Sequence, residues 1–285
     1  GEQMTETHGT ATVAGEAATV ETVMNYSSEA GGPIGYYFYE PEVRENFRPA
    51  GQDRRSVLVE DAWPQADRLS ADVEGFEVHP FEGGFDAFEN DETVRDAFYP
   101  QAVDFVKRHT GARQVVVFDH TLRRKRSQDI RTQTEVQRPV VFLAHCDFTP
   151  RSGPQRVRDI MGGEADALLA RRVAFYNVWK PLYDPVEEFP LGLCDARSVP
   201  DDDFLVMHLK YRDRDGEIYT LRHSSGHRWR YFPGMAPDQA LLLKTYDSET
   251  DGRARFMGHS AFDDPNSPPD RKPRQSIEIR TMAFF

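Results

Sequence analysis

The stretch Phe204-Leu-Val-Met-His-Leu-Lys-Tyr-Arg-Asp-Arg-Asp-Gly-Glu-Ile-Tyr-Thr-Leu-Arg-His223 decides the fold class of this chain. Phe204 to Tyr211 and Ile218 to His223 are strand-like runs, and Asp213-Arg-Asp-Gly216 between them is a turn signal, so the stretch reads as a hairpin. Further strand-like runs lie on both sides: Val173 to Trp179 and Leu191 to Val199 before it, then Trp229 to Phe232, Ala240 to Tyr246, Arg253 to Phe262 and Ser276 to Phe285 after it. Short strands punctuated by turns, without intervening helices or internal repeats, imply an antiparallel sandwich or barrel. The expected class is mainly β with flanking helices: a double-stranded β-helix of jelly-roll, cupin-like form.

Nearer the N-terminus, Arg113 to His120 reads as a strand and Pro139-Val-Val-Phe-Leu-Ala144 as a buried one. The basic run Leu122-Arg-Arg-Lys-Arg126 reads as a solvated hairpin end, with use by an anionic substrate as the alternative. A helix opens at Ser152-Gly-Pro154, with Val157, Ile160, Met161, Leu168 and Leu169 on its apolar side and a break at Gly162-Gly163. An earlier helix starts at Asp91-Glu-Thr93, carries Val94, Phe98, Ala102, Phe105 and Val106 on one stripe, and is expected to divide at Pro100. Apolar patches Val20 to Tyr26, Ile34 to Tyr39 and Ser56 to Val59 imply short strands covering one side of the core, while residues 1–18 read as a disordered tail. The expected organisation is one domain over 19–285, with 19–112 as flanking strands and helix and 113–285 as the jelly-roll core.

The 285 residues carry a net charge of −12 and a pI near 5.3. A phosphate-binding surface needs excess Lys and Arg, so nucleic acid and anionic membrane are not expected partners, whereas a small-molecule substrate is. No run approaches the roughly 20 apolar residues of a membrane span, and the first 20 residues lack a signal-peptide pattern, so a cytoplasmic location is expected. Cys146 and Cys194 are too few for a disulfide framework and read as reduced packing residues.

Chemistry concentrates in His145-Cys-Asp147, His259 and Arg274-Gln-Ser276. Residues two apart on a strand point the same way, so His145 and Asp147 can reach one ion. With His259 they make two imidazoles and one carboxylate, the facial set of non-haem iron sites; zinc accepts the same ligands, and the Arg-x-Ser favours iron. His223 and His227 compete as the third ligand. On the last strand Arg274, Ser276, Glu278 and Arg280 share a face, and a guanidinium with a hydroxyl makes a carboxylate receptor. Arg274 is preferred to Arg280, which is left to a substrate anion or to Glu278. Asn177 shares a face with Trp179 and is either a ligand for a carboxylate beside the metal or a backbone-satisfying amide. Trp179, His227 and Trp229 are candidates for the pocket wall, with core filling as the alternative for the last two.

The segments Ala144-His-Cys-Asp-Phe-Thr149, Tyr176-Asn-Val-Trp-Lys-Pro181, Pro190-Leu-Gly-Leu-Cys-Asp195, His227-Arg-Trp-Arg-Tyr-Phe-Pro233, Leu243-Lys-Thr-Tyr-Asp-Ser248, Gly258-His-Ser-Ala-Phe-Asp-Asp-Pro265 and Pro273-Arg-Gln-Ser-Ile-Glu-Ile-Arg280 together resemble the fungal and bacterial hydroxylase/desaturase family that includes the fungal gibberellin desaturase and a cephamycin methoxylase component. The resemblance covers about residues 113–285. It implies an Fe(II)/2-oxoglutarate-dependent oxygenase of secondary metabolism that uses O2, with His145, Asp147 and His259 matching the metal ligands and Arg274 and Ser276 holding the distal carboxylate of 2-oxoglutarate. The outcome would be hydroxylation, desaturation or ring formation on a small molecule. Two rival readings are a cupin-like metalloenzyme that does not use 2-oxoglutarate and a non-catalytic accessory component of a two-protein system. Nothing in the chain addresses oligomeric state.

Overall fold

The computed structural model describes residues 18–124, 137–138 and 140–285. All but the last residue of the expected tail at 1–18, the end of the basic run and Pro139 lie outside the described residues. The first half of the chain forms β1 (Thr19–Ser27), β2 (Ile34–Tyr37), β3 (Gln52–Asp61), β4 (Phe76–Pro80), α1 (Asp91–Thr93), α2 (Tyr99–Thr110), β5 (Gln114–Arg123), β6 (Gln137–Arg138) and β7 (His145–Cys146). After α3 (Ser152–Met161) and α4 (Ala165–Leu169) come β8 (Val173–Pro181), β9 (Leu191–Cys194), β10 (Phe204–Lys210), β11 (Asp215–Leu221), β12 (Trp229–Tyr231), β13 (Gln239–Asp247), β14 (His259–Ala261) and β15 (Ser276–Phe284).

Among the described residues the strands form two sheets, ordered β1-β3-β12-β9-β14-β7-β11-β10-β2 and β4-β13-β8-β15-β5-β6. Non-sequential neighbours in both orders give the wound, two-layer arrangement of a jelly roll. The hairpin that decided the class is present: β10 pairs antiparallel with β11 from Phe204↔Leu221 to Lys210↔Asp215, so its turn is 211–214, two residues ahead of the expected one. The N-terminal strands extend both layers, since β1 ladders onto β3, β3 joins β12, β2 joins β10 and β4 joins β13. The first helix also starts where expected. A π-helical turn at Val94–Phe98 joins α1 to α2, whose first turn accepts Pro100 because no intrahelical donor is required there.

Three expected strands are shorter than the hydrophobic runs that announced them. The segment 140–144 is not laddered, and only His145–Cys146 is strand. Its backbone groups bond singly to different partners, Ala144 N to Asn25 O and Ala261 N to Val141 O, as the chain crosses between strands. Residues 253–258 are likewise irregular, leaving His259–Ala261, and β9 ends at Cys194, where Asp195 caps a 3-10 turn. Nor is the start of the basic run a solvated end. Leu122 is buried, Arg123 packs against Glu278, and Arg124 pairs with Glu89. No helix among the described residues is long and apolar enough to cross a membrane.

His227 and Trp229 belong to a buried polar chain within the core, not to a pocket. Asp203 Oδ2 lies 2.7 Å from His227 Nε2, His227 Nδ1 lies 2.8 Å from the Tyr26 hydroxyl, and Trp229 Nε1 donates to that hydroxyl at 2.8 Å. Trp229 is fully buried among Val20, Met24, Val59 and Phe262. Such a chain is stable in a core because every polar atom has a partner.

Lys180 on β8 departs from that rule. It is 4 % exposed, its ammonium donates only to Pro181 O, and it lies over the rings of Phe81, Phe88 and Phe98. Burial pulls it down to about 8 from 10.5. The unfolded chain therefore binds more protons than the folded one between these values, and stability rises with pH through that window. Chemical denaturation of wild type and Lys180→Met is expected to show the wild type gaining up to roughly 3 kcal/mol on the variant as pH rises across the window. A difference between them that is flat in pH would contradict the buried-ammonium account.

Candidate metal centre and active-site cavity

The two histidines meet because their strands do. His259 on β14 is the cross-strand partner of His145 on β7, and Asp147 follows two residues after His145. Gly258 makes the approach possible, since an added Cβ would lie 2.8 Å from Leu221 Cδ2. The donor atoms of His145, Asp147 and His259 all fall within 4.8 Å of one another. Asp147 Oδ1 is 3.3 Å from His145 Nε2 and 3.5 Å from His259 Nε2. Cys146 points away, its thiol donating to Thr245 O, and burial pushes that thiol up, so it is a packing residue as expected. Both cysteines are free and buried.

The imidazole tautomers follow from their partners. His145 Nδ1 lies 2.7 Å from Leu143 O and His259 Nδ1 lies 3.1 Å from Met257 O. A carbonyl only accepts, so Nδ1 carries a proton in each ring, and in the neutral ring that binds a cation Nε2 presents a lone pair. His259 Nε2 is buried without a hydrogen-bond partner. Three electron-rich atoms thus converge with no proton of their own, an arrangement that a cation at about 2.1 Å from each donor would satisfy. The donor set fits Fe(II). His223 and His227, the rival third ligands, are elsewhere: both pack against Tyr26.

A second group, Glu77, His79 and His109, also brings three donor atoms within 4.8 Å, but it does not converge. The two rings are stacked 3.6 Å apart at 6°, so their lone pairs run parallel. Glu77 already spends its oxygens on His79 Nε2 and the Ala71 amide.

Around the metal candidates, β15, β8 and β5 present one polar face. In register, Ser276 lies opposite Pro181 and Arg123, Glu278 opposite Trp179, and Arg280 opposite Asn177. Arg280 is well partnered: Nη1 donates to Asp119 and Thr121, Nη2 to Glu278, and Nε is 3.8 Å from Asp147 Oδ2. Burial works against ionisation of Glu278, yet Arg280 and Arg123 hold its carboxyl below the usual range. Asn177 donates to Asp147 Oδ2 and Glu278 Oε1, so its donors are not open to a keto acid.

Arg274 stands in contrast. It is buried, its Nη1 donates to Phe189 O, it lies over the Trp179 ring, and no carboxylate is within ion-pair distance among the described residues. Its Nε has no partner, and neither does the buried hydroxyl of Ser276. Burial, with Arg123 nearby, pulls the guanidinium down to about 9.

A cavity of about 1400 Å³ opens onto His145, Asp147 and Arg280. Trp179, His227 and Trp229 do not line it. Ser152, Gln155 and Arg156 of α3 do, because that helix follows directly on the His-x-Asp. So do Phe38 and Glu45, from the N-terminal third. That contribution was missed; the aromatic run Tyr36-Tyr-Phe-Tyr39 was its only sequence signal. Tyr99 and His120 form another stretch of wall, with the phenol 2.5 Å from His120 Nδ1 and His120 Nε2 2.8 Å from Asp91.

A family model described as an oxidoreductase/YMDC permease-like domain matches residues 24–284. The hydroxylase/desaturase efuI of Hormonema carpetanum is 29% identical over 96% of this chain and 98% of its own length. The Fe(II)/2-oxoglutarate-dependent dioxygenase nvfI of Aspergillus novofumigatus is 30% identical over 87% of this chain and 90% of its own. The chain belongs to this family of Fe(II)/2-oxoglutarate-dependent oxygenases. The oxygenase also shares its fold with a solved variant of the iron and alpha-ketoglutarate-dependent endoperoxidase NvfI, with a TM-score of 0.85 and 26% identity over 95% of this chain and 99% of that one. Its cofactor is Fe(II), and 2-oxoglutarate and O2 are its co-substrates.

In this oxygenase, His259→Ala removes one of three converging donors. Anaerobic calorimetry with Fe(II) is expected to show one site in the wild type and affinity at least a hundredfold weaker in the variant. Unchanged binding in His259→Ala would move the metal to other residues.

Proposed function

We propose that His145, Asp147 and His259 hold Fe(II), that Arg274 and Ser276 receive the distal carboxylate of 2-oxoglutarate, and that a small-molecule substrate occupies the 1400 Å³ cavity. The observation that carries the reading is Arg274: a buried guanidinium without a carboxylate partner, beside an unpartnered hydroxyl. Burying a charge without its counter-charge costs several kcal/mol, and an anionic ligand removes that cost. Arg280 differs in having counter-charges already, since it donates to Asp119 and Glu278 as well as to Thr121. Arg274 and Ser276 are not among the described residues that line the cavity: Arg274 borders a small separate pocket with Asp184, Val186 and Pro273, and Ser276 is joined to the cavity wall through its register partner Arg123 in the β15–β5 ladder.

The bound iron and keto acid supply the oxidising power to remove hydrogen from an unactivated carbon, releasing succinate and CO2. The protein's part is to orient. Arg274 and Ser276 fix one end of the keto acid, the α3 side chains and Val141 and Leu143 bound the cavity beside His145 and Asp147, and the wall of Tyr99 and His120 faces across it. We further read residues 19–285 as one catalytic domain, because β1 to β4 complete both sheets. The setting is cytoplasmic natural-product biosynthesis, with hydroxylation, desaturation or ring formation as the outcome.

Anaerobic titration of the Fe(II) protein with 2-oxoglutarate, followed by the weak visible charge-transfer absorption of the chelate, tests the assignment. Arg274→Ala is expected to weaken keto-acid binding about a hundredfold, as loss of two charge-assisted hydrogen bonds implies. Retention of wild-type affinity in Arg274→Ala would transfer the role to another cation.

A further inference from the structure

We infer that Asn177, held in orientation by Glu278, is a positioning residue that turns Asp147 so that only Oδ1 is offered to the metal. The inference rests on the reading of His145, Asp147 and His259 as the iron ligands.

Asn177 lies on β8 and is 1 % exposed. Its Nδ2 is 2.7 Å from Asp147 Oδ2 and 3.1 Å from Glu278 Oε1. An amide has two N–H hydrogens and an ionised carboxylate only accepts, so the nitrogen must face both acids and the amide has one permitted orientation. Glu278 is in turn immobilised, since its Oε2 is 3.2 Å from Arg280 Nη2 and 3.4 Å from Arg123 Nη2. Arg280 itself is anchored on Asp119.

The carboxylate of Asp147 is thereby divided. Oδ2 faces the Asn177 amide and, at 3.8 Å, Arg280 Nε, while Oδ1 faces the lone pairs of both imidazoles. A carboxylate free to rotate can take a metal through both oxygens and fill an extra coordination position. A facial triad needs three positions open, two for a bidentate keto acid and one for dioxygen. Tying down Oδ2 keeps the third position free. This explains the placement of Glu278, a buried acid beside another acid: its function is to fix the amide rather than to bind a ligand.

The test compares wild type, Asn177→Ala and Glu278→Gln for Fe(II) affinity by chelator competition, for 2-oxoglutarate affinity at saturating Fe(II) by the charge-transfer band, and for thermal midpoint. Outer residues that orient metal ligands typically alter metal affinity 10- to 100-fold, and Asn177→Ala is expected to weaken Fe(II) by about that factor. The distinguishing result is a further loss, more than about tenfold, in 2-oxoglutarate affinity of the fully iron-loaded variant, because Asp147 then occupies a position the keto acid requires. Glu278→Gln keeps the shape but no longer dictates the amide's orientation, so it should shift both affinities in the same direction by a smaller factor; it also serves if Asn177→Ala does not fold. A purely structural role would lower the midpoint and leave keto-acid affinity at saturating iron unchanged, which overturns the proposal alone. A wild type without a charge-transfer band overturns both this proposal and the iron-site reading beneath it.

Discussion

Asp147 faces two imidazole nitrogens whose lone pairs point at it, and the surrounding structure is organised around that concentration of negative density. The backbone carbonyls of Leu143 and Met257 take the Nδ1 protons, which leaves Nε2 of each ring as a donor to a cation. Cross-strand pairing of His145 with His259 then sets the spacing without any long side-chain reach. Pairing and tautomer together make a donor set that fits a divalent cation.

The charges around this centre are distributed unequally, and the inequality assigns roles. Arg280 and Arg123 sit with Glu278, Asp119 and Thr121 in a network whose donors and acceptors match. Arg274, two residues before β15 begins, has a carbonyl, an aromatic ring and the unpartnered Ser276 hydroxyl for company. Two arginines of similar sequence context are thus separated by what surrounds them. One has its counter-charges at hand, and the other is buried without one among the described residues.

The cavity draws on parts of the chain far apart in sequence. Strands of both sheets, α3, and the segment around Phe38 and Glu45 all contribute. The N-terminal region is therefore part of the cavity wall as well as a flank that completes the sheets. The histidine at 227 and the tryptophan at 229 were attractive wall candidates, yet they complete a satisfied core network with Tyr26 and Asp203.

The sequence by itself determined the β class, the hairpin at 204–223, the two helices with the break at Gly162-Gly163, and the pairing of His145 with Asp147, because alternation, turn chemistry and residue spacing are local properties, whereas His259 was joined to them by the family resemblance and not by any local pattern. It also placed Ser276, Glu278 and Arg280 on one face, since the strand period carries that information directly. What only tertiary structure decided was which hydrophobic runs became ladders, as at 140–144 and 253–258, for that depends on where a partner strand lies. The same holds for which arginine lacks a counter-charge and for Asn177 serving the carboxylate of Asp147. Pairing partners, burial and charge compensation are set by residues a hundred positions away, and no window of sequence contains them.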